Sequence, residues 1–318
     1  MNLTEQLTLD PAKAVATIID GLRAAAVRFR RRGGVLGISG GIDSSVCAAL
    51  SAEAFGPNRV LGLLMPEADS ADESLELGQQ LADHLGIDAL VEDITPLLQA
   101  SDCYRRRDEA FASVIPGYGP GWRSKIVLPS LLDSDSYRLS QLVAVDPEGA
   151  SHRARLTPEA YLQAIAATNF KQRSRKMLEY YHADRTNRLV IGTPNLLEFD
   201  QGFFVKLGDG AADVKPIAHL YKTQVYALAE YLGLPEEIRS RPPTTDTFSL
   251  PQSQEEFYFS VPYQLMDQCL LAFNEGLSAE QTAAATGLTA SQVERVFGDI
   301  EAKRRVAGYL HAEPVTFA

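Results

Sequence analysis

Residues 37–45, Gly-Ile-Ser-Gly-Gly-Ile-Asp-Ser-Ser, place two adjacent glycines, three hydroxyls and one carboxylate directly after the apolar Val35 and Leu36. A strand, a glycine turn and a helix start together make a phosphate-binding geometry. Gly40 and Gly41 let the backbone come close to an anion, and the free N–H groups of the helix start point at it. Gly37, Ile38 and Ile42 supply the rest of that backbone cradle, and the hydroxyls of Ser39, Ser44 and Ser45 add donors. The Walker pattern is absent, because no Lys follows the glycines, and so is GxGxxG. Asp43 alone would repel phosphate. It makes sense if a Mg²⁺ ion lies between the two. Without a ligand the same stretch would be a turn capping a helix, with Asp43 answering the helix dipole.

The surrounding pattern says what holds this loop. Asp10 and Pro11 start a helix that should run to about residue 30, its last turn rich in Arg, with Gly33 and Gly34 ending it. Buried strands are expected at 35–39 and 59–66, further strands at 88–94 and 187–193, and helices at 43–54, 71–86 and within 215–235. Strands alternating with helices predict an α/β fold, a doubly wound and mostly parallel sheet flanked by helices. The pattern breaks over 104–156, a basic, aromatic and Gly/Pro-rich stretch read as an insertion, with a β-hairpin turning at Asp146-Pro147-Glu148-Gly149. A helix follows from Thr157-Pro158 and carries the basic set Lys171, Arg173, Arg175 and Lys176. Such a set is most often a solvated face. Beside a phosphate loop it is also a clamp for a second phosphate-bearing ligand. Residues 255–318 read as a helical C-terminal segment of a single domain spanning 1–318.

Composition narrows the classes. The 318 residues are 45% hydrophobic and 22% charged, an ordinary globular balance, with a net charge of -11. That charge argues against general nucleic-acid affinity. Residues 278–297 resemble a helix-turn-helix, yet the second helix offers only Glu294 and Arg295, so a structural role is expected. The three cysteines, Cys47, Cys103 and Cys269, form no CxxC pair, which predicts neither a disulfide framework nor zinc and points to a reducing cytoplasm. Cys47 reads as core. No apolar run reaches membrane-spanning length, and the N-terminus does not read as a signal peptide.

SGGxDS resembles the pyrophosphatase loop of the N-type ATP pyrophosphatases, which cleave ATP between its α and β phosphates and pass AMP to an acceptor. Residues 192–225, GTPNLLEFDQGFFVKLGDGAADVKPIAHLYKTQV, resemble the signature of the ammonia-dependent NAD synthetase family within that group. TNFKQRSRKM upstream and RPPTTD downstream resemble two further family segments. The resemblance implies ATP as co-substrate and Mg²⁺ held by Asp43 and Glu198. It implies ATP contacts from Thr193, Lys222 and Thr244, with Asp43, Lys222 and Ser39 in the chemistry. Arg173, Lys206, Asp213 and Lys303 would hold the acceptor, nicotinic acid adenine dinucleotide (deamido-NAD). The implied reaction activates the nicotinate carboxylate as an adenylate, which ammonia then attacks to give NAD, AMP and pyrophosphate. The family implies a homodimer, small-molecule substrates, and neither nucleic acid nor membrane as partner. Only about 35 residues precede the first strand. Free ammonia, or a separate ammonia-supplying amidase, is therefore the expected donor.

Three departures bear on the acceptor. Pro194 stands where the family has Gly, which fixes φ and removes an N–H. Ala302 stands before Lys303 where a His is usual, and the 104–156 insertion sits beside the acceptor helix. A related AMP-forming ligase acting on a different carboxylate is the alternative.

Overall fold

Four short apolar segments form the central sheet of the computed structural model, which describes residues 2–132, 140–245 and 247–317. Residues 137–139 of the expected hairpin and Asp246 of the RPPTTD loop lie outside the described residues. In chain order the first half contains α1 (Leu3–Gln6), α2 (Pro11–Phe29), β1 (Gly34–Gly37), α3 (Ile42–Phe55), β2 (Val60–Leu64), α4 (Asp72–Leu85), β3 (Asp88–Val91), α5 (Thr95–Ala100) and α6 (Cys103–Ala112). Then come β4 (Arg123–Val127), β5 (Gln141–Val145), β6 (Ser151–Arg155), α7 (Pro158–Thr186), β7 (Leu189–Val190) and α8 (Leu196–Gln201). The chain continues through α9 (Lys222–Tyr231), α10 (Glu236–Ser240), α11 (Tyr263–Asn274), α12 (Ala279–Thr286) and α13 (Ala290–His311).

The sheet is parallel in the order β3-β2-β1-β7. Successive side chains of a strand point to opposite faces. Leu36, Val60, Leu64 and Leu189 therefore pack toward α2, α3, α4 and α9, while Val35, Leu61, Leu63 and Val190 pack toward α5, α6 and α7. Burial on both faces explains why these strands read as unbroken apolar runs. It also explains α3, whose residues from Ser44 to Ser51 are all buried. The hydroxyls of Ser45 and Ser51 donate to the carbonyls of Gly41 and Cys47, at 2.8 and 2.7 Å, which satisfies them inside the core.

The order places a switch point beside β1. From β1 the chain moves outward to β2 on one side, and β7 later joins on the other. Loops leaving the carboxyl ends of β1 and β7 diverge there and leave a crevice, the usual seat of ligands in open α/β sheets.

Outside this sheet, β4, β5 and β6 form a small antiparallel sheet. Its apolar face, with Ile126, Leu142 and Ala144, packs with Phe111, Tyr118, Ala160 and Phe248 in a second core. The turn between β5 and β6 is closed by the Asp146 N–H donating to Ala150 O at 3.0 Å, with Gly149 at φ +90°. The C-terminal helices form another cluster around Met266, Leu270, Val296 and Ile300.

Three local expectations are corrected. α2 ends at Phe29, next to the expected residue 30, but Arg30 in the left-handed conformation at φ 54° ends it rather than the glycines. Asn187 supports that turn by donating to Arg30 O at 3.3 Å and accepting from Arg31 at 3.0 Å. Gly33 serves another end: a Cβ there would lie 1.9 Å from the Arg59 carbonyl oxygen. Residues 103–112, read as part of an irregular insertion, are helical. They bury Cys103, Ala110 and Phe111, and on the same face the buried Arg107 pairs with Asp69 and Asp108. Lys171 and Lys176 do not belong to a solvated face. The buried Lys171 Nζ donates to Glu67 at 2.7 Å, the half-buried Asp69 at 2.6 Å and Thr247 O at 3.1 Å, and Lys176 pairs with Glu179 at 2.6 Å, both buried.

Candidate active site

The loop after β1 turns at Gly40, at φ +71°, a conformation that L side chains rarely adopt. Its hydroxyls are ordered before any ligand binds. Ser39 and Ser44 share a hydrogen bond at 3.1 Å, Ser44 donates to Gly41 O at 3.0 Å, and the Gly41 N–H donates to Ser39 Oγ at 3.3 Å. Gly37 is needed for close packing beneath, since a Cβ there would meet Met65 at 3.1 Å and the Glu179 carboxylate at 3.3 Å.

Three chain segments converge on Asp43. From α8, Asn195 caps its own helix by accepting the Glu198 N–H at 3.2 Å, and its amide donates to Asp43 at 3.0 Å. Glu198 completes a capping box by accepting the Asn195 N–H at 3.1 Å. From α9, the Lys222 ammonium donates to the other oxygen of Asp43. Lys222 is fixed in turn by α11, where the Asp267 carboxylate accepts the N–H groups of Lys222 and Thr223 at 3.2 and 2.7 Å. Glu198, Lys222 and Asp267 are buried.

Burial sets the electrostatics. It pushes the Glu198 carboxyl up to about 8, and the negative charge of Asp43 adds to this, against Lys222 and the hydrogen bonds from Asn195 and Gln254. Burial would lower Lys222, but the carboxylates of Asp43 and Glu198 outweigh it and hold the ammonium charged. Asp267 is pushed up to about 6 by burial, against the two backbone N–H groups it caps. Burial raises the Cys47 thiol well above its ordinary value, and Asp43 and Glu198 raise it further. Cys47 thus remains a core thiol.

A cavity of about 480 Å³ opens over this centre. Gly37, Ile38, Ser39, Gly41, Ile42, Asp43, Ser44, Thr193, Glu198, Lys222 and Thr244 all line it. Gly40 sets the turn from outside the lining, and Ser45 is spent within α3. The residues expected to hold the acceptor lie outside this lining. The Arg173 guanidinium donates to Lys206 O at 3.1 Å, which brings those two residues together. Lys206 Nζ donates to the carbonyls of Tyr309 and Ala312 at 2.9 and 2.8 Å and lies 4.6 Å from the Tyr309 ring centre. Asp213 accepts the Val190 N–H at 2.8 Å at the sheet edge. Lys303 donates to Tyr258 O at 2.9 Å, one layer behind a ring that does line the cavity.

Sequence reasoning missed Arg241 and Gln254, and named Arg175 only as one of a basic set. Arg241 lines the cavity and donates to Ser74 at 3.0 Å, and one of its nitrogens lies 3.2 Å from where a Cβ on Gly40 would stand. Its cue was a cation directly before the two prolines of RPPTTD, a segment in which only Thr244 was singled out. Arg175, two residues after Arg173, lines the cavity and donates to Met65 O at 3.2 Å. Gln254 donates to Glu198 at 2.9 Å, and no cue within its own segment announced that contact.

An open parallel sheet, an anion-cradling loop at its switch point and a buried carboxylate–lysine centre define a nucleotide-binding α/β protein of the adenine nucleotide alpha hydrolase type. The chain belongs to the NAD synthase family, whose model matches residues 14–114 and 136–306. An NH3-dependent NAD+ synthetase of Mesorhizobium japonicum is 57% identical over 310 residues, covering 97% of each chain. Among solved structures, the NMN synthetase of Francisella tularensis superposes with a TM-score of 0.68 at 23% identity, over 97% of this chain and 99% of the other. The NH3-dependent NAD synthetase of Campylobacter jejuni gives 0.64 at 22% identity, over 98% and 100%. At those identities the two structures speak for the fold alone. Among the described residues no helix is long and apolar enough to cross a membrane.

Proposed function

We propose that the chain is an ammonia-dependent NAD synthetase that joins ammonia to the nicotinate carboxylate of deamido-NAD, consuming ATP and releasing AMP and pyrophosphate. The convergence of Asp43, Glu198 and Lys222 at the mouth of the Ser-Gly-Gly loop carries this reading. The 57% identical relative supports it.

A carboxylate resists ammonia because its leaving group would be oxide. Activation removes that obstacle. A carboxylate oxygen forms a bond to the α-phosphorus of ATP, and the bond from that phosphorus to the pyrophosphate oxygen breaks. Ammonia then adds to the acyl carbon, AMP leaves, and the amine loses a proton to water. The protein positions groups and stabilises charge. The Ser39–Ser44 turn and the α3 N-terminus receive the pyrophosphate. Lys222 balances charge developing on the phosphates, and Arg241 stands at the glycine turn as a second cation. Thr193 and Thr244 line the AMP side. Arg175 is the cavity's cation on the α7 side. Arg173, Lys206, Asp213 and Lys303 form an outer set for the rest of the dinucleotide.

The centre's chemistry fits a hard divalent ion. The buried Glu198 carboxyl, raised by burial and by the half-buried Asp43 beside it, favours a nearby cation, or else a proton on Glu198. Asp43 and Glu198 would hold Mg²⁺. When bound, the ion screens the phosphate charges and orients their oxygens. Among the described residues no group of three or more His, Cys, Asp or Glu side chains could hold a metal, so phosphate and water would complete its shell. The protein is proposed to act as a cytoplasmic homodimer on small molecules, without nucleic acid or membrane as partner. The single-domain organisation, with 104–156 inserted and 255–318 helical, belongs to the same proposal.

The test is an incubation with ATP, Mg²⁺, ammonium and deamido-NAD. NAD and AMP are the expected products. ADP in place of AMP would overturn the assignment.

A further inference from the structure

The family match skips residues 115–135, and β4 lies inside that gap. One edge of β4 pairs with β5. The other edge is covered by residues 249–256. The Ser124 N–H donates to Ser249 Oγ at 2.9 Å, and the Leu250 N–H donates to Ser124 O at 3.1 Å. The Gln252 amide donates to Ile126 O, and the Leu128 N–H donates to Glu256 O at 2.9 Å. Lys125 Nζ adds contacts to Pro251 O at 3.1 Å and to the Glu256 carboxylate at 2.9 Å. An edge strand left open is a liability, and here the site loop closes it.

The same loop folds back on itself. The Thr245 N–H donates to Gln252 O at 3.1 Å, and the Gln254 N–H donates to Pro243 O at 3.0 Å. Its inner side meets the cavity through Thr244, Thr247 and Gln254. Gln254 holds Glu198 at 2.9 Å, and Thr247 O accepts from the buried Lys171 at 3.1 Å. A continuous set of hydrogen bonds thus runs from β4, outside the family frame, to a carboxylate of the proposed ATP centre.

We propose that β4 braces residues 243–245 and 247–256 in the shape that seats ATP, with Gln254 positioning Glu198 and Lys125 holding the loop from outside. The proposal rests on the ATP-site reading above. It makes part of the chain's added segment a determinant of ATP affinity. A loop tied at both legs is ordered before ATP arrives, so ATP binds without the cost of ordering it.

The test uses the full-length chain and the variants Lys125→Met, Lys125→Arg and Glu256→Gln. Lys125 and Glu256 lie outside the cavity lining, so these changes leave the chemistry intact. Amide exchange of residues 244–254 is followed with and without ATP, alongside KM for ATP and kcat. For Lys125→Met and Glu256→Gln, exchange in the loop rises about tenfold without ATP while β1 and β2 keep their protection. KM for ATP rises about five- to tenfold, kcat changes less than twofold, and Lys125→Arg restores both. Loop exchange equal to wild type overturns the brace. Faster exchange with an unchanged KM reduces it to a purely structural contact and overturns the proposal equally. Should one variant fail to fold, the other decides. Failure of the underlying site reading looks different, because ATP would then leave the loop of the wild-type protein unprotected.

Discussion

The two halves of the proposed site, one assigned to ATP and one to the acceptor, are built differently. The ATP half is assembled at the switch point, where loops leaving β1 and β7 and the start of α9 bring Asp43, Glu198 and Lys222 together over a rigid parallel sheet. The acceptor half is a rim. Arg173 and Lys206 hold one another and the carbonyls of the C-terminal residues, and Lys303 stands behind Tyr258. A centre that must align a phosphorus for attack needs fixed side chains. A rim that only gathers a large ligand can exchange its carbonyl contacts for that ligand.

The sharpest way to break this contrast is at Asp43. Asp43→Asn keeps the shape of the cradle but removes the charge that meets Lys222, and kcat should fall by about 10²–10³-fold in steady-state assays. A smaller loss would put Asp43 in packing rather than chemistry.

Asp267 tests the fixing of Lys222. Its folded pKa is raised above the unfolded value, so its favourable contribution is fully present below about pH 4. It is lost as pH rises through about 6, a difference of about 3 kcal/mol. In Asp267→Asn the fall in stability between pH 4 and 6 should flatten, as read from denaturant midpoints across that range. An unchanged slope would mean that Asp267 titrates as it does in the unfolded chain.

Arg241→Met should raise KM for ATP about tenfold with a smaller effect on KM for the acceptor, separating the halves by a cation that only one of them owns. The least effect belongs to the rim. Arg173→Met should raise KM for deamido-NAD a few-fold, about threefold, with ATP kinetics unchanged. An equal loss on both substrates would erase the distinction.

The contrast also marks what the sequence could disclose. The strands, α3 and the glycine turn were legible because they rest on local rules: apolar runs buried on both faces, glycines where φ turns positive, hydroxyls at a helix start. The meeting of residues 43, 198 and 222 was not legible from spacing. It came from resemblance, since sheet order and not proximity along the chain creates it. Arg241 and Gln254 escaped notice because the resemblance of RPPTTD singled out Thr244 alone and PQSQ announces only a loop. α6 escaped for another reason. Its buried face, Cys103, Ala110 and Phe111, is interrupted by Arg107 paired with Asp69, and hydrophobic periodicity has no signal for a buried salt bridge. Lys171 misled in the same way, because a lysine buried with Glu67 and Asp69 is indistinguishable in sequence from a solvated one.

The central claim is that Asp43, Glu198 and Lys222 serve cleavage of ATP between its α and β phosphates by an acceptor carboxylate. Isotope exchange between labelled pyrophosphate and ATP tests it directly, with deamido-NAD and Mg²⁺ present and ammonia withheld. Label should enter ATP with the wild-type protein, depend on the acceptor, and be abolished in Asp43→Asn. Exchange of labelled orthophosphate into ATP, or pyrophosphate exchange that survives loss of the Asp43 carboxylate, would contradict the account.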